Sequence, residues 1–175
     1  MAQTGLTETG HAESRPSESQ LWAWLDEVPD PEIPVISLVD LGIIRDVAWR
    51  EDALEVTVTP TYSGCPATSV INLDIVSALK AHGIEKIDLK RRLSPAWTTD
   101  WISDKGREKL RGYGIAPPVP GTSACGIGAL ARPEIACPRC GSTHTRLVSQ
   151  FGSTPCKAAY VCDDCLEPFD YFKCI

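Results

Sequence analysis

Two short cysteine pairs near the end of the chain constrain its folding most. "CPRC" (137–140) and "CDDC" (162–165) are C-x2-C steps, separated by the 21 residues from 141 to 161. Each step turns sharply and aims two sulfurs at one point. Two steps together complete a tetrahedral four-thiolate site, with zinc–sulfur bonds of about 2.3 Å. The gap is slightly longer than the roughly 15–20 residues usual for such sites, and a β-hairpin insert absorbs the difference. A stretch of about 40 residues rarely sustains a core without a staple. A closed four-thiolate site also leaves no open position for chemistry. Cys137, Cys140, Cys162 and Cys165 are therefore expected to hold one structural metal, zinc, with iron the alternative for the same donors. A redox role for CPRC lacks the βαβ context that such dithiols need.

"THTRLVSQF", "KAAYV" and "PFDYFKCI" around the knuckles read as short strands, so residues 135–175 read as a zinc ribbon. Many ribbons bind nucleic acid, but this one has the wrong charge. From Pro133 onward the basic residues are Arg139, Arg146, Lys157 and Lys173. The acidic ones are Glu134, Asp163, Asp164, Glu167 and Asp170, which leaves 4 − 5 = −1. The whole chain carries −6. Neither value is an electrostatic footprint for phosphates or an anionic membrane, and a protein partner is expected instead. Three further cysteines lie in or near this region. Cys156 and Cys174 are either buried, inert thiols, or a second thiol pair or a transient metal site near the ribbon. Cys125, in a Gly-rich stretch, reads as an exposed spectator.

Residues 1–16 are polar, with a single leucine among Thr, Ser, Gly and Glu, and read as a disordered tail. They contain no apolar h-region, and no run approaches the roughly 18 apolar residues of a membrane span. The expected compartment is the cytoplasm, where paired cysteines hold metal more often than they form disulfides. Ser17 and Gln20 fit a capping box, and Leu21, Leu25 and Val28 fall on one helical face. Pro29 and Pro31 stop that helix. An irregular segment follows, then a hairpin: Ile43 to Trp49, a polar turn, and an alternating strand that turns Leu54, Val56 and Val58 inward. Pro66 suits the first position of a helix. That helix has a stripe of Val70, Leu73, Val76 and Leu79, widened by Ile71 and Ile75. Gly83 closes it. Ile84 to Arg91 reads as a third strand, and Ser103 to Arg111 as a short helix weakened by Gly106. The Pro- and Gly-dense stretch 118–134 reads as a linker. The fold class is α+β: residues 17–117 form a small sheet with helices packed on one face, and the β-rich four-cysteine ribbon follows.

Cys65, in "TPTYSGCPATS", stands apart from the other cysteines. It is either a small filler beneath a turn or a reactive thiol at a helix start, where the macrodipole favours the thiolate form. No histidine is placed to act as its base, which argues against Cys–His hydrolysis. Asp30, Glu32 and Asp40 are candidate carboxylate ligands near it, or ordinary turn and helix-end residues.

"DPEIPVISLVDLGII", the hairpin and "VTPTYSGCPATS" resemble the small iron–sulfur cluster assembly domain of SufT-like and cytosolic cluster-targeting proteins. The resemblance spans about residues 18–95. That family's markers fall on Cys65 and on Asp30, Pro31 and Glu32. With "WTTDWISDKGREKLRGYGIAPP", "CPRCGS", "FGSTPCKA" and "EPFDYFKCI", residues 18–175 resemble the PaaD family, accessory proteins of phenylacetyl-CoA epoxidase systems. The resemblance implies a place in aerobic phenylacetate degradation, beside a multicomponent oxygenase with a diiron hydroxylase and a flavin and [2Fe–2S] reductase. This chain has no dinucleotide fingerprint, no plant-type C-x4-C-x2-C spacing and no paired Glu-x-x-His helices. The implied role is thus non-catalytic. It would assist cluster assembly or insertion, with the reductase or another subunit as partner, a transient iron–sulfur cluster as cargo, and Cys65 as the contact. A homodimer is compatible with this reading. The alternatives are a structural subunit of the oxygenase and a small electron carrier with an iron-loaded ribbon.

Overall fold

The structure is a computed structural model that describes residues 15–62, 64–119 and 134–173. The expected tail, apart from Arg15 and Pro16, lies outside the described residues. So do Cys125, Cys174 and most of the expected linker.

The first helix, α1 (Glu18–Asp26), starts at the capping box its sequence encodes. The Ser17 hydroxyl accepts from the Gln20 N–H, and the Gln20 side chain accepts from the Ser17 N–H at 2.9 Å. Leu21 and Leu25 are fully buried. The hairpin strands β1 (Ile44–Arg50) and β2 (Ala53–Val58) pair antiparallel. After α2 (Thr68–Ala81) the chain returns as β3 (Ile87–Arg91), parallel to β2, giving a sheet of order β1-β2-β3. Leu54, Val56 and Val58 point into the core as their alternation requires.

Helix α2 differs from expectation in two ways. It buries Ile71, Ile75 and Leu79, a strict four-residue step, while Val70 and Leu73 are 46% and 64% exposed. Both sets recur at helical spacing, and packing on the sheet selects the one that begins at Ile71. Ile75→Ala should cost about 2–5 kcal/mol, whereas Leu73→Ala should stay within about 0.5 kcal/mol. Urea unfolding of the two variants checks this, and equal losses would contradict the assigned face. The helix also begins at Thr68, two residues after the expected Pro66. Pro66 and Ala67 are taken up in a turn: the Cys65 carbonyl accepts both the Thr68 N–H at 3.3 Å and the Thr68 hydroxyl at 2.8 Å.

Helix α3 (Asp104–Tyr113) is capped by Ser103 and ended by Gly114 in the left-handed region, φ 92°. Gly106 belongs there for space. A Cβ at this position would stand 2.9 Å from Ile36 Cδ1 and 3.1 Å from the Asp40 carbonyl oxygen. The weak helix former is what lets α3 close onto the irregular segment.

The ribbon strands are β5 (Thr145–Ser149), β6 (Lys157–Cys162) and β7 (Pro168–Phe172). A short strand β4 (Ile115–Ala116), directly after α3, pairs parallel with β7, so the second sheet has the order β4-β7-β6-β5. Ile135, Cys137, Cys162, Phe169 and Tyr171 belong to its small core. The opposite side of β7 serves the first core. Phe172 is fully buried there with Cys156, and its ring centroid is 6.2 Å from that of Trp97. The Trp97 indole N–H donates to the Leu41 carbonyl at 2.9 Å. The last strand of the ribbon is thus also a wall of the N-terminal core.

Candidate metal centre and thiol site

The two knuckles bring Cys137, Cys140, Cys162 and Cys165 together, with all four Sγ atoms within 4.8 Å of one another. Cys137 and Cys165 are 3.8 Å apart, and Cys140 and Cys162 are 3.6 Å apart. A tetrahedron with zinc–sulfur bonds of about 2.3 Å has sulfur–sulfur edges of about 3.8 Å, so the cluster has the size of a zinc site. Its charge also calls for a cation. The Cys162 thiol is held down to about 7, first by the Cys165 N–H and further by that of Asp164. Cys165 behaves oppositely. The Glu167 N–H favours its thiolate, but desolvation and the sulfurs of Cys140, Cys162 and Cys137 outweigh that bond, and the thiol is pushed up to about 12. Four thiolates this close cannot all ionise unaided, and a divalent ion resolves the conflict. Cys137 and Cys162 are buried while Cys140 and Cys165 face solvent, so the site lies at one end of the sheet.

The second site lies where the two sheets meet. Asp30 is buried, and its Oδ1 accepts the N–H groups of Glu32 and Ile33 at 2.9 and 2.8 Å, fixing the turn of "DPEI". Burial pushes the Asp30 carboxyl up, against those two N–H groups and the positive charge of Lys157. Its neighbour Glu32 is half-buried and turns toward the ribbon. Asp30, Glu32, Cys65 and Cys156 line one small cavity of about 20 Å³, closed by Ile71 and Phe172. The Cys156 thiol reaches a Glu32 carboxylate oxygen at 3.9 Å and lies 3.0 Å from the Thr154 hydroxyl. Tyr62 stands at the same place. Its hydroxyl titrates above the usual phenol range, chiefly through desolvation and then through the negative charge of Cys65, Glu32 and Cys156.

Cys65, Asp30 and Glu32 thus line one cavity. Two expectations change. Cys65 lies three residues before the first helical residue, and its carbonyl serves the helix start, so the macrodipole argument for its thiol does not carry over. Asp40 is taken elsewhere: it accepts the Ser103 hydroxyl and the Lys109 ammonium, each at 2.6 Å. Cys156, read from sequence as a buried inert thiol or part of a second thiol pair or metal site near the ribbon, is buried at this cavity. Its local signal is the stretch "FGSTPCKA", which places it directly before the apolar strand β6.

The iron–sulfur cluster assembly protein family matches residues 18–87, and the PaaD zinc beta ribbon domain matches residues 124–173. An Escherichia coli protein described as one of the subunits of a "Putative 1,2-phenylacetyl-CoA epoxidase" is 50% identical over 160 residues, 91% of this chain and 94% of the relative. The chain belongs to the PaaD family. Its N-terminal part is also similar to an "Fe-S protein maturation auxiliary factor" of Porphyromonas gingivalis, 31% identical over 96 residues, 54% of this chain and 90% of that protein. Among solved structures, a domain of unknown function from Bacillus anthracis is similar with a TM-score of 0.50 and 29% identity, covering 53% of this PaaD-family chain and 90% of that one. The assembly-type match ends near β3. The contact between Phe172, Cys156 and the Cys65 region therefore joins segments matched by two different families. Among the described residues no helix is long and apolar enough to cross a membrane.

Proposed function

We propose that this protein is a non-catalytic accessory factor of aerobic phenylacetate degradation. In this reading it assists iron–sulfur cluster assembly or insertion in the phenylacetyl-CoA epoxidase system, most directly in its [2Fe–2S] reductase. The observation that carries the proposal is the meeting of Cys65 with Asp30 and Glu32 around one cavity, in the part of the chain matched by the assembly family. Cys65 is half-buried and lines this cavity. A thiolate there can ligate iron or exchange with a client cysteine. The four ribbon cysteines hold zinc, and the metal keeps the second sheet folded so that β7 can wall the first core. The site residues are Cys65 for cargo contact, Asp30 to shape the loop that presents Glu32, and the knuckle cysteines for zinc. The protein works in the cytoplasm.

In cells carrying Cys65→Ser, the reductase should be purified with most of its iron and acid-labile sulfide missing, while its flavin content is unchanged. A full cluster complement would overturn the proposal. The name of the E. coli relative favours a second reading, a stoichiometric structural subunit of the epoxidase. Co-purification separates the two. A stable equimolar complex with the hydroxylase supports the structural subunit, and a transient contact with the reductase supports the assembly factor.

A further inference from the structure

We propose that Cys156 of the ribbon and Cys65 of the assembly domain, with the Glu32 carboxylate, form a second metal site that carries a single divalent ion of the iron(II) class. The inference rests on the reading of Cys65 as the cargo contact, and it names the cargo. Its basis is the composite cavity. Cys65 enters from the turn before α2, Glu32 from the Asp30 turn, and Cys156 from the residue before β6. Sequence neighbours of a single domain could not assemble this set. Cys156 and Glu32 are 124 positions apart yet in contact at 3.9 Å.

The donor chemistry selects the ion. Two thiolates and one carboxylate suit a borderline divalent transition metal far better than calcium or magnesium, which take oxygen donors alone. Size selects a single ion. A cavity of about 20 Å³ has room for roughly one water-sized species, which fits a single ion. On binding, the two thiols release their protons to solvent, and the three anionic donors close on the dication.

The site also differs from the ribbon in a way that suits a cargo. Among the described residues, the ribbon cysteines are the group whose donor atoms already lie within 4.8 Å of one another. The composite site has Cys156 and Glu32 in contact at 3.9 Å, and its three donor atoms must draw together to hold an ion. A site that must rearrange binds more weakly and releases more readily than a preformed one. Lys157, next to Cys156 and buried, is held by Asp170 at 3.3 Å, which keeps its ammonium out of the donor set.

The test uses the full chain, zinc-loaded and oxygen-free, titrated with cobalt(II) as the probe. The wild-type protein should take up a cobalt ion beyond the ribbon's metal, with sulfur-to-cobalt charge-transfer absorption, and zinc content should stay unchanged. Cys156→Ser and Cys65→Ser should each weaken that binding by about tenfold or more and keep the ribbon zinc. Wild-type protein that takes up no cobalt, or Cys156→Ser that binds it as wild type does, overturns the proposal. If Cys156→Ser fails to fold, Glu32→Gln at a half-buried position decides instead: a similar weakening is expected, and unchanged binding overturns the proposal. Failure of the assembly reading is a separate result, because it appears as an intact reductase cluster in Cys65→Ser cells whatever cobalt does.

Discussion

Stripping the ribbon metal with a chelator is expected to unfold the β4–β7 sheet and to loosen the N-terminal core with it. The sheet has few apolar residues of its own, and two of its buried positions, Cys137 and Cys162, are the proposed ligands themselves. Apparent binding free energies of structural zinc sites are about 10–16 kcal/mol near pH 7, and in such modules that is folding free energy. The ribbon's ion pairs are far smaller contributors. Arg146 with Asp163, for example, joins two exposed side chains and adds little. Cys137→Ser and Cys162→Ser should reproduce the effect without a chelator. Zinc content, together with backbone amide spectra of β5–β7, reads the result. Normal zinc and normal spectra in both variants would refute the ligand assignment.

Phe172→Ala is expected to cost about 3–5 kcal/mol, and the loss should be felt in the N-terminal core. Phe172 is 1% exposed and packs with Trp97, which in turn is tied to the Leu41 carbonyl. Whole-domain stabilities are about 5–15 kcal/mol, so this one truncation removes a large share. Tryptophan fluorescence during denaturant unfolding is the reporter, since Trp22, Trp24, Trp49, Trp97 and Trp101 all lie in the N-terminal part. A shifted midpoint with ribbon zinc retained supports the docking of β7 into the first core. An unchanged midpoint would show that the two sheets stand independently.

The features legible in the sequence are those determined within a few residues. Ser17 and Gln20 cap each other across one helical turn, Leu54, Val56 and Val58 alternate, and each knuckle carries its own two sulfurs. Helix α2 is ambiguous in sequence for a physical reason. Val70 and Leu73 are as apolar as Ile71 and Ile75, and only the sheet decides which pair is buried. Gly106 reads as a weakness until the close approach of Ile36 and Asp40 is seen. The Cys65 site is half legible. The markers Asp30, Glu32 and Cys65 stand out in two short motifs, whereas Cys156 arrives only because β7 and the turn before β6 fold back across the molecule. No local pattern encodes a contact between positions 32 and 156.

The central claim is tested most directly by anaerobic cluster formation on the cluster-free reductase, supplied with iron(II) and sulfide. The [2Fe–2S] absorption should grow faster with the wild-type protein than without it, and Cys65→Ser should do no better than the protein-free control. Equal acceleration by wild type and Cys65→Ser would contradict the assignment of Cys65 as the transfer contact.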